Sequence, residues 1–159
     1  MKKQKLVEAI IQKLRDDLAL YHKAATAARA EATHEQSKAE NKYDTRGLEA
    51  SYLARGQSRQ AIEITQAMEK FEKLALREFT ANDPIDTGAL VELQNGKEAS
   101  TYFIGPRAGG TEVTFQKREV LVITPESPLG SQLLGKKLGE KCLLELGGQK
   151  QQCRVAQVW

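Results

Sequence analysis

The chain has 159 residues and a formal net charge of +3, with 15 basic and 12 acidic side chains over residues 1–80 and nine of each over 81–159. That length allows one or two compact domains, and so mild and mixed a charge excludes a protein that grips nucleic acid through many phosphates. No apolar run is long enough to span a membrane, no signal-peptide core follows Met1, and Cys142, Cys153, His22 and His34 form no metal-ligand pattern. The plain reading is a cytoplasmic chain, monomeric by default, that makes no membrane contact.

The first predicted element is a helix from about Lys3 to the mid-thirties. Apolar or small residues recur on it at alternating steps of three and four: Val7, Ile11, Leu14, Leu18, Tyr21, Ala25, Ala28 and Ala32. A matching ladder, Ala50, Ala54, Gln57, Ala61, Ile64, Met68, Phe71 and Ala75, runs along a second helix predicted to end near Phe79. Such spacing is that of a coiled-coil seam. Run antiparallel, the ladders pair Ile11 with Phe71, Leu14 with Met68 and Ala28 with Ala54, with a mirror point at Asn41. A register one heptad away moves the turn centre to about Ser37. Both seams shrink to alanine distally, so helix propensity and surface charge pairs must hold that part together. Gly47 and Gly56 weaken the second helix.

Between the helices lies a charged turn. Ser37-x-x-Glu40 fits a capping box, Asp44 fits an N-cap, and Asn41 suits a left-handed turn position. The same stretch presents the carboxylates of Glu35, Glu40 and Asp44, hard oxygen ligands of the kind Mg2+ accepts. The two roles are compatible, because a capping glutamate keeps a free oxygen.

Composition changes near residue 80, after which lie all four prolines and ten of the twelve glycines. Pro84 and Gly88 mark residues 80–88 as a linker, which divides the chain into a helical hairpin (1–79) and a second domain (89–159). In the latter, Val91 and Leu93 alternate before Asn95-Gly96, a hairpin-turn dipeptide, and Tyr102 and Ile104 follow on the return. Val113 and Phe115 alternate, and Val120 to Ile123 reads as a buried strand. Ser127 then suits an N-cap, Pro128 the first turn of a short helix, and Gly135 its stop. A final hairpin turns at Gly147-Gly148 and sets Cys142 opposite Cys153 if its loop has two residues. The fold class is α+β: a long antiparallel coiled-coil hairpin followed by a mainly antiparallel sheet with one short helix.

The stretch VLVITPESPLGSQLLGKKLGEKCLLEL, ending at Leu146, resembles the C-terminal domain of the bacterial transcript-cleavage factors GreA and GreB. Ser127, Pro128, Leu129, Leu133, Leu134, Gly135, Lys136, Gly139 and Glu140 stand where that family's pattern needs them. The resemblance covers roughly residues 88–158 and implies an FKBP-like domain behind a coiled coil. At the tip, Glu40-Asn41 and Tyr43 match the second part of the family's Asp-x-x-Glu-Asn pattern and its following tyrosine. Ser37 stands in place of the family's aspartate, and the tyrosine comes one residue early.

The resemblance implies that the chain binds bacterial RNA polymerase. The globular domain, with Ser127, Pro128, Leu129, Leu133, Gly135 and Lys136, would dock on the rim of the secondary channel. The hairpin would enter that channel, where Glu40, Asp44 and Glu35 help hold Mg2+ of the polymerase's own active site while it cleaves the 3' end of backtracked RNA. Such a factor has no cofactor of its own and alone catalyses nothing. Because Ser37 replaces the aspartate, two alternatives stand beside this reading: a channel-binding regulator or inhibitor without cleavage, and a coiled-coil adaptor for another protein.

Overall fold

The computed structural model describes residues 2–34 and 46–159. In chain order the elements are α1 (Lys2–Thr33), α2 (Arg46–Glu72), β1 (Leu90–Asn95), β2 (Glu98–Ile104), β3 (Glu112–Phe115), β4 (Arg118–Ile123), α3 (Pro128–Leu133), β5 (Lys141–Leu146) and β6 (Gln149–Val158). They gather into two compact units, Leu14–Met68 and the combination of Met1–Lys13 with Glu69–Trp159.

In the first of these units the seam follows the predicted ladders. Leu14, Ala25 and Ala28 of α1 and Ala54 and Ala61 of α2 are buried, while Leu18, Tyr21, Ala32, Ala50, Gln57, Ile64 and Met68 are half-buried. Arg29 Nη2 donates to Ser58 Oγ at 2.7 Å and ties the two helices together. Alanine rungs bury little area each, so this part is held mainly by propensity and by many small contacts. Gln57 interrupts the alanines, and its Oε1 is buried with no hydrogen-bond partner among the described residues.

The second unit is a six-stranded sheet in the order β3-β4-β2-β1-β6-β5. Its pairs are antiparallel except β2–β4, which is parallel. Alternation along the strands divides the sheet faces. Val91, Leu93, Tyr102, Ile104, Cys142, Leu144, Cys153 and Val155 form one continuous core with Leu133 of α3 and with Phe79 and Ile85. On the other face Phe103, fully buried, stacks on Phe71 of α2 with ring centroids 6.3 Å apart. Gly105 makes that approach possible, since a Cβ there would sit 2.8 Å from Val122 Cγ1 and 2.9 Å from Phe71 Cζ.

The N-terminal turns of α1 bury more than the predicted seam. Lys3, Leu6 and Ile10 are enclosed beside Val7. Lys3 Nζ donates to the carbonyls of Arg77 and Gly88 and lies 4.7 Å from the centroid of the Phe79 ring, with the Arg77 guanidinium 3.9 Å from the same centroid. Burial pushes the Lys3 ammonium below its usual range, Glu78 opposes that shift, and Arg77 adds to it.

Two boundaries differ from the sequence reading. Helix α2 stops at Glu72 instead of running to about Phe79, and the Ala75 rung is exposed. Leu74 N bonds to Phe71 O as the last turn tightens, and the chain then turns Phe79 and Ile85 into the sheet core, where both are buried away from water. The first hairpin turns on Gly96-Lys97 instead of Asn95-Gly96, because Asn95 pairs with Glu98. Gly96 takes φ +59 at the first loop position, as a type II′ turn requires, and Asn95 becomes a ladder residue whose side chain donates to Gln151. The stretch after α2 is also tied down: Thr80 N and Oγ1 both donate to Asp83 Oδ2, at 2.7 and 2.8 Å.

Gly105→Ala is expected to cost about 1–3 kcal/mol through overpacking against Val122 and Phe71. Gly56→Ala, where an added Cβ meets nothing within 4 Å, should instead stabilise by about 1 kcal/mol. Urea unfolding of the two variants checks the contrast, and equal effects would contradict the packing described.

Candidate functional site

The residues around α3 are fixed by hydrogen bonds that the sequence pattern supplies. Ser127 adopts extended backbone at the N-cap, accepts from Gly130 N at 3.1 Å, and donates its hydroxyl to Thr124 O at 2.7 Å. Pro128 follows at the first helical position, where it has no N–H to leave unsatisfied. Gly135, at φ +80, ends the helix in the left-handed conformation that favours glycine. Its N–H bonds to Ile85 O at 2.9 Å while Ile85 N bonds to Lys136 O at 2.8 Å, so the segment after α3 is laced to the segment before β1. On the other side, Leu143 N of β5 donates to Gln132 Oε1 at 3.0 Å.

This geometry sorts the predicted docking residues. Leu133 is fully buried and Leu129 packs against the core, so both act by holding α3 on the sheet. Ser127 and Gly135 are cap and stop. Pro128 is exposed and Lys136 half-buried, and with exposed Glu126 and Gln132 they leave a firm edge of mixed polarity. Gly139 at φ +87 donates its N–H to Val155 O, and the Glu140 side chain accepts from Lys137 N, which explains the glycine–acid pair after the helix. Sequence reading missed Gly130. A Cβ there would fall 1.9 Å from Thr124 O, so the Ser-Pro-Leu-Gly turn closes only around glycine.

The predicted tip residues Glu35, Ser37, Glu40, Asn41, Tyr43 and Asp44 lie outside the described residues. What is described is their frame: α1 ends at Thr33 and α2 begins at Arg46. Among the described residues no group of three or more His, Cys, Asp or Glu is placed to hold a metal ion, and no helix is long and apolar enough to cross a membrane.

The described residues therefore form a mixed sheet carrying one capped short helix, preceded by two long helices. Comparison with known proteins places it. The family described as transcription elongation factor GreA/GreB, C-terminal, matches residues 80–159, half of the chain. The chain therefore belongs to the GreA/GreB family of transcription elongation factors, and RNA polymerase is the partner this membership gives it. Solved structures with some likeness include the GreA factor homolog 1 (Gfh1) protein of Thermus thermophilus, at 22% identity over 95% of each chain with a TM-score of 0.41. Gfh1 of Thermus aquaticus matches at 22% identity over 95% of this chain and 92% of its own, TM-score 0.41. A GreA/GreB elongation factor from Nitrosomonas europaea matches at 16% identity over 60% of this chain and 78% of its own, TM-score 0.35. No curated protein matches. The family assignment rests on the family match.

Ser127→Ala removes the cap and should lower stability by about 1 kcal/mol. Gly130→Ala, which forces the turn open against Thr124 O, should cost more. Thermal unfolding orders the two variants, and a Gly130→Ala protein as stable as wild type would contradict the turn geometry.

Proposed function

We propose that the chain docks on bacterial RNA polymerase at the rim of its secondary channel, places the 35–45 segment inside the channel, and promotes cleavage of backtracked RNA by the polymerase active site. The observation that carries this reading is the family match over residues 80–159. Two long helices flanking the 35–45 segment give it support, and so do the Glu40-Asn41 and Tyr43 matches to the family's tip pattern.

The contribution of this chain is positional and electrostatic. The α3 edge around Pro128 and Lys136 makes the protein contact. Glu40 and Asp44, with Glu35 nearby in sequence, would supply carboxylate oxygens to Mg2+ of the polymerase centre, and that ion would supply Lewis-acid activation for hydrolysis of the RNA phosphodiester. The factor is then an accessory to the polymerase's own chemistry. Ser37 favours a second reading, because a hydroxyl in place of a carboxylate removes one negatively charged oxygen ligand from the family's pattern: a channel-binding regulator that slows or tunes transcription without cleavage.

Stalled, backtracked elongation complexes distinguish the two. The wild-type protein should release short 3' RNA fragments, and Glu40→Ala and Asp44→Ala should each lower that rate by about 10–100-fold while still binding polymerase. Binding without any cleavage by wild type would overturn the first reading in favour of the second. No binding would overturn both and leave an adaptor for another protein.

A further inference from the structure

Cys142 and Cys153 are direct partners across β5 and β6, and both are buried free thiols. Their alignment follows from the loop: Leu146 pairs with Gln149, so the turn holds only Gly147 and Gly148, at φ +59 and +79. Opposed residues of an antiparallel pair point to one face with Cα atoms about 4.5–5.5 Å apart, inside the roughly 4.4–6.8 Å that a disulfide spans. An open cavity of about 320 Å³ between α3 and the end of the sheet is lined by Cys142, with Lys136, Lys141, Gln132 and Gln152 around it. Strand β5 is the sheet's edge, so no further strand pairs beside it.

We propose that Cys142 and Cys153 form a reversible dithiol–disulfide site, in which Cys142 is the entry thiol reached through this cavity by a low-molecular-weight, anionic disulfide and Cys153 is the resolving thiol. In the first step the Cys142 thiolate attacks one sulfur of the small disulfide, forming a mixed disulfide and expelling one small thiolate. Cys153 then attacks the Cys142 sulfur and expels the second. The protein loses two thiol protons and two electrons, and the small disulfide takes up both to become two thiols. Lys136 and Lys141 at the cavity favour a reagent bearing carboxylates, such as oxidised glutathione. Burial, reinforced by the neighbouring Cys153, pushes the Cys142 thiol up to about 12, and Lys136 opposes the shift. Thiolate is therefore scarce at neutral pH but intrinsically nucleophilic when formed. The site accordingly responds slowly, to sustained oxidation.

The test uses the full chain incubated with oxidised glutathione at mildly alkaline pH, read by thiol titration and intact mass. In the wild type both thiols should disappear together, the mass should fall by two hydrogens with no glutathione retained, and dithiothreitol should reverse the change. Cys153→Ser should stop at one stable glutathione adduct on Cys142. Cys142→Ser should react roughly tenfold more slowly, since Cys153 is not among the residues lining that cavity. Retention of both thiols in native protein, while the urea-unfolded chain oxidises, would overturn the proposal, as would a lasting glutathione adduct on the wild type or equal rates for the two variants. If neither variant folds, the wild-type mass and thiol count decide alone.

Discussion

The contact on which the sheet-bearing unit depends is the stack of Phe71 on Phe103, made possible by the missing side chain at Gly105. Phe71 closes the last turns of α2, and Phe103 is the centre of a sheet face that would otherwise present Val120, Val122 and Leu90 to water. Aromatic pairs at this spacing add about 0.5–1.5 kcal/mol beyond the area they bury. Larger still is the apolar area they remove from water, with Leu6, Ile10 and Val7 of α1 enclosed in the same unit. Lys3 shows how far that enclosure goes. Its stem is buried and its ammonium is held by two backbone carbonyls and the Phe79 ring, a cation kept in an apolar site only because those partners replace its lost water.

The opposite face is organised by a hydrogen-bonded turn. Ser127, Thr124 and Gly130 close the entry to α3, Gly135 closes its exit, and Leu133 anchors it between them. A six-residue helix has too few internal hydrogen bonds to persist by itself. The caps and the buried leucine supply what its length does not, and the result is a rigid edge at Pro128 and Lys136. In the proposed complex, an edge already ordered in this way would lose little entropy on binding.

Much of this was legible in the residues. The three-and-four ladder located both helices, because alanine and leucine rungs at that spacing have one face to bury, and the Ser-Pro and Gly signals placed α3 to within a residue. Both strands of the β3–β4 hairpin were legible, but the tight turn joining them was not. Its turn residues, Gln116 and Lys117, take φ +50 and +64 with no glycine or asparagine to announce them, so tertiary pairing imposes a conformation the local sequence does not favour. The end of α2 was overrun because periodicity continues through Ala75, whereas burial of Phe79 and Ile85 pulls the chain away. Gly130 escaped notice for a similar reason: its need is a close approach to Thr124 O, which only folded geometry reveals. Glu35, Glu40 and Asp44 lie outside the described residues, and because their residue types suit helix capping as well as metal ligation, the residues alone leave both roles open.

In the proposed complex residues 35–45 reach the polymerase's catalytic centre. The most direct measurement replaces the polymerase's Mg2+ with Fe2+ and maps where locally generated hydroxyl radicals cut the bound factor. The expected result is cuts concentrated within residues 35–45 and abolished by excess Mg2+. Cuts spread over the β-domain, or none in a complex shown to be intact, would contradict it.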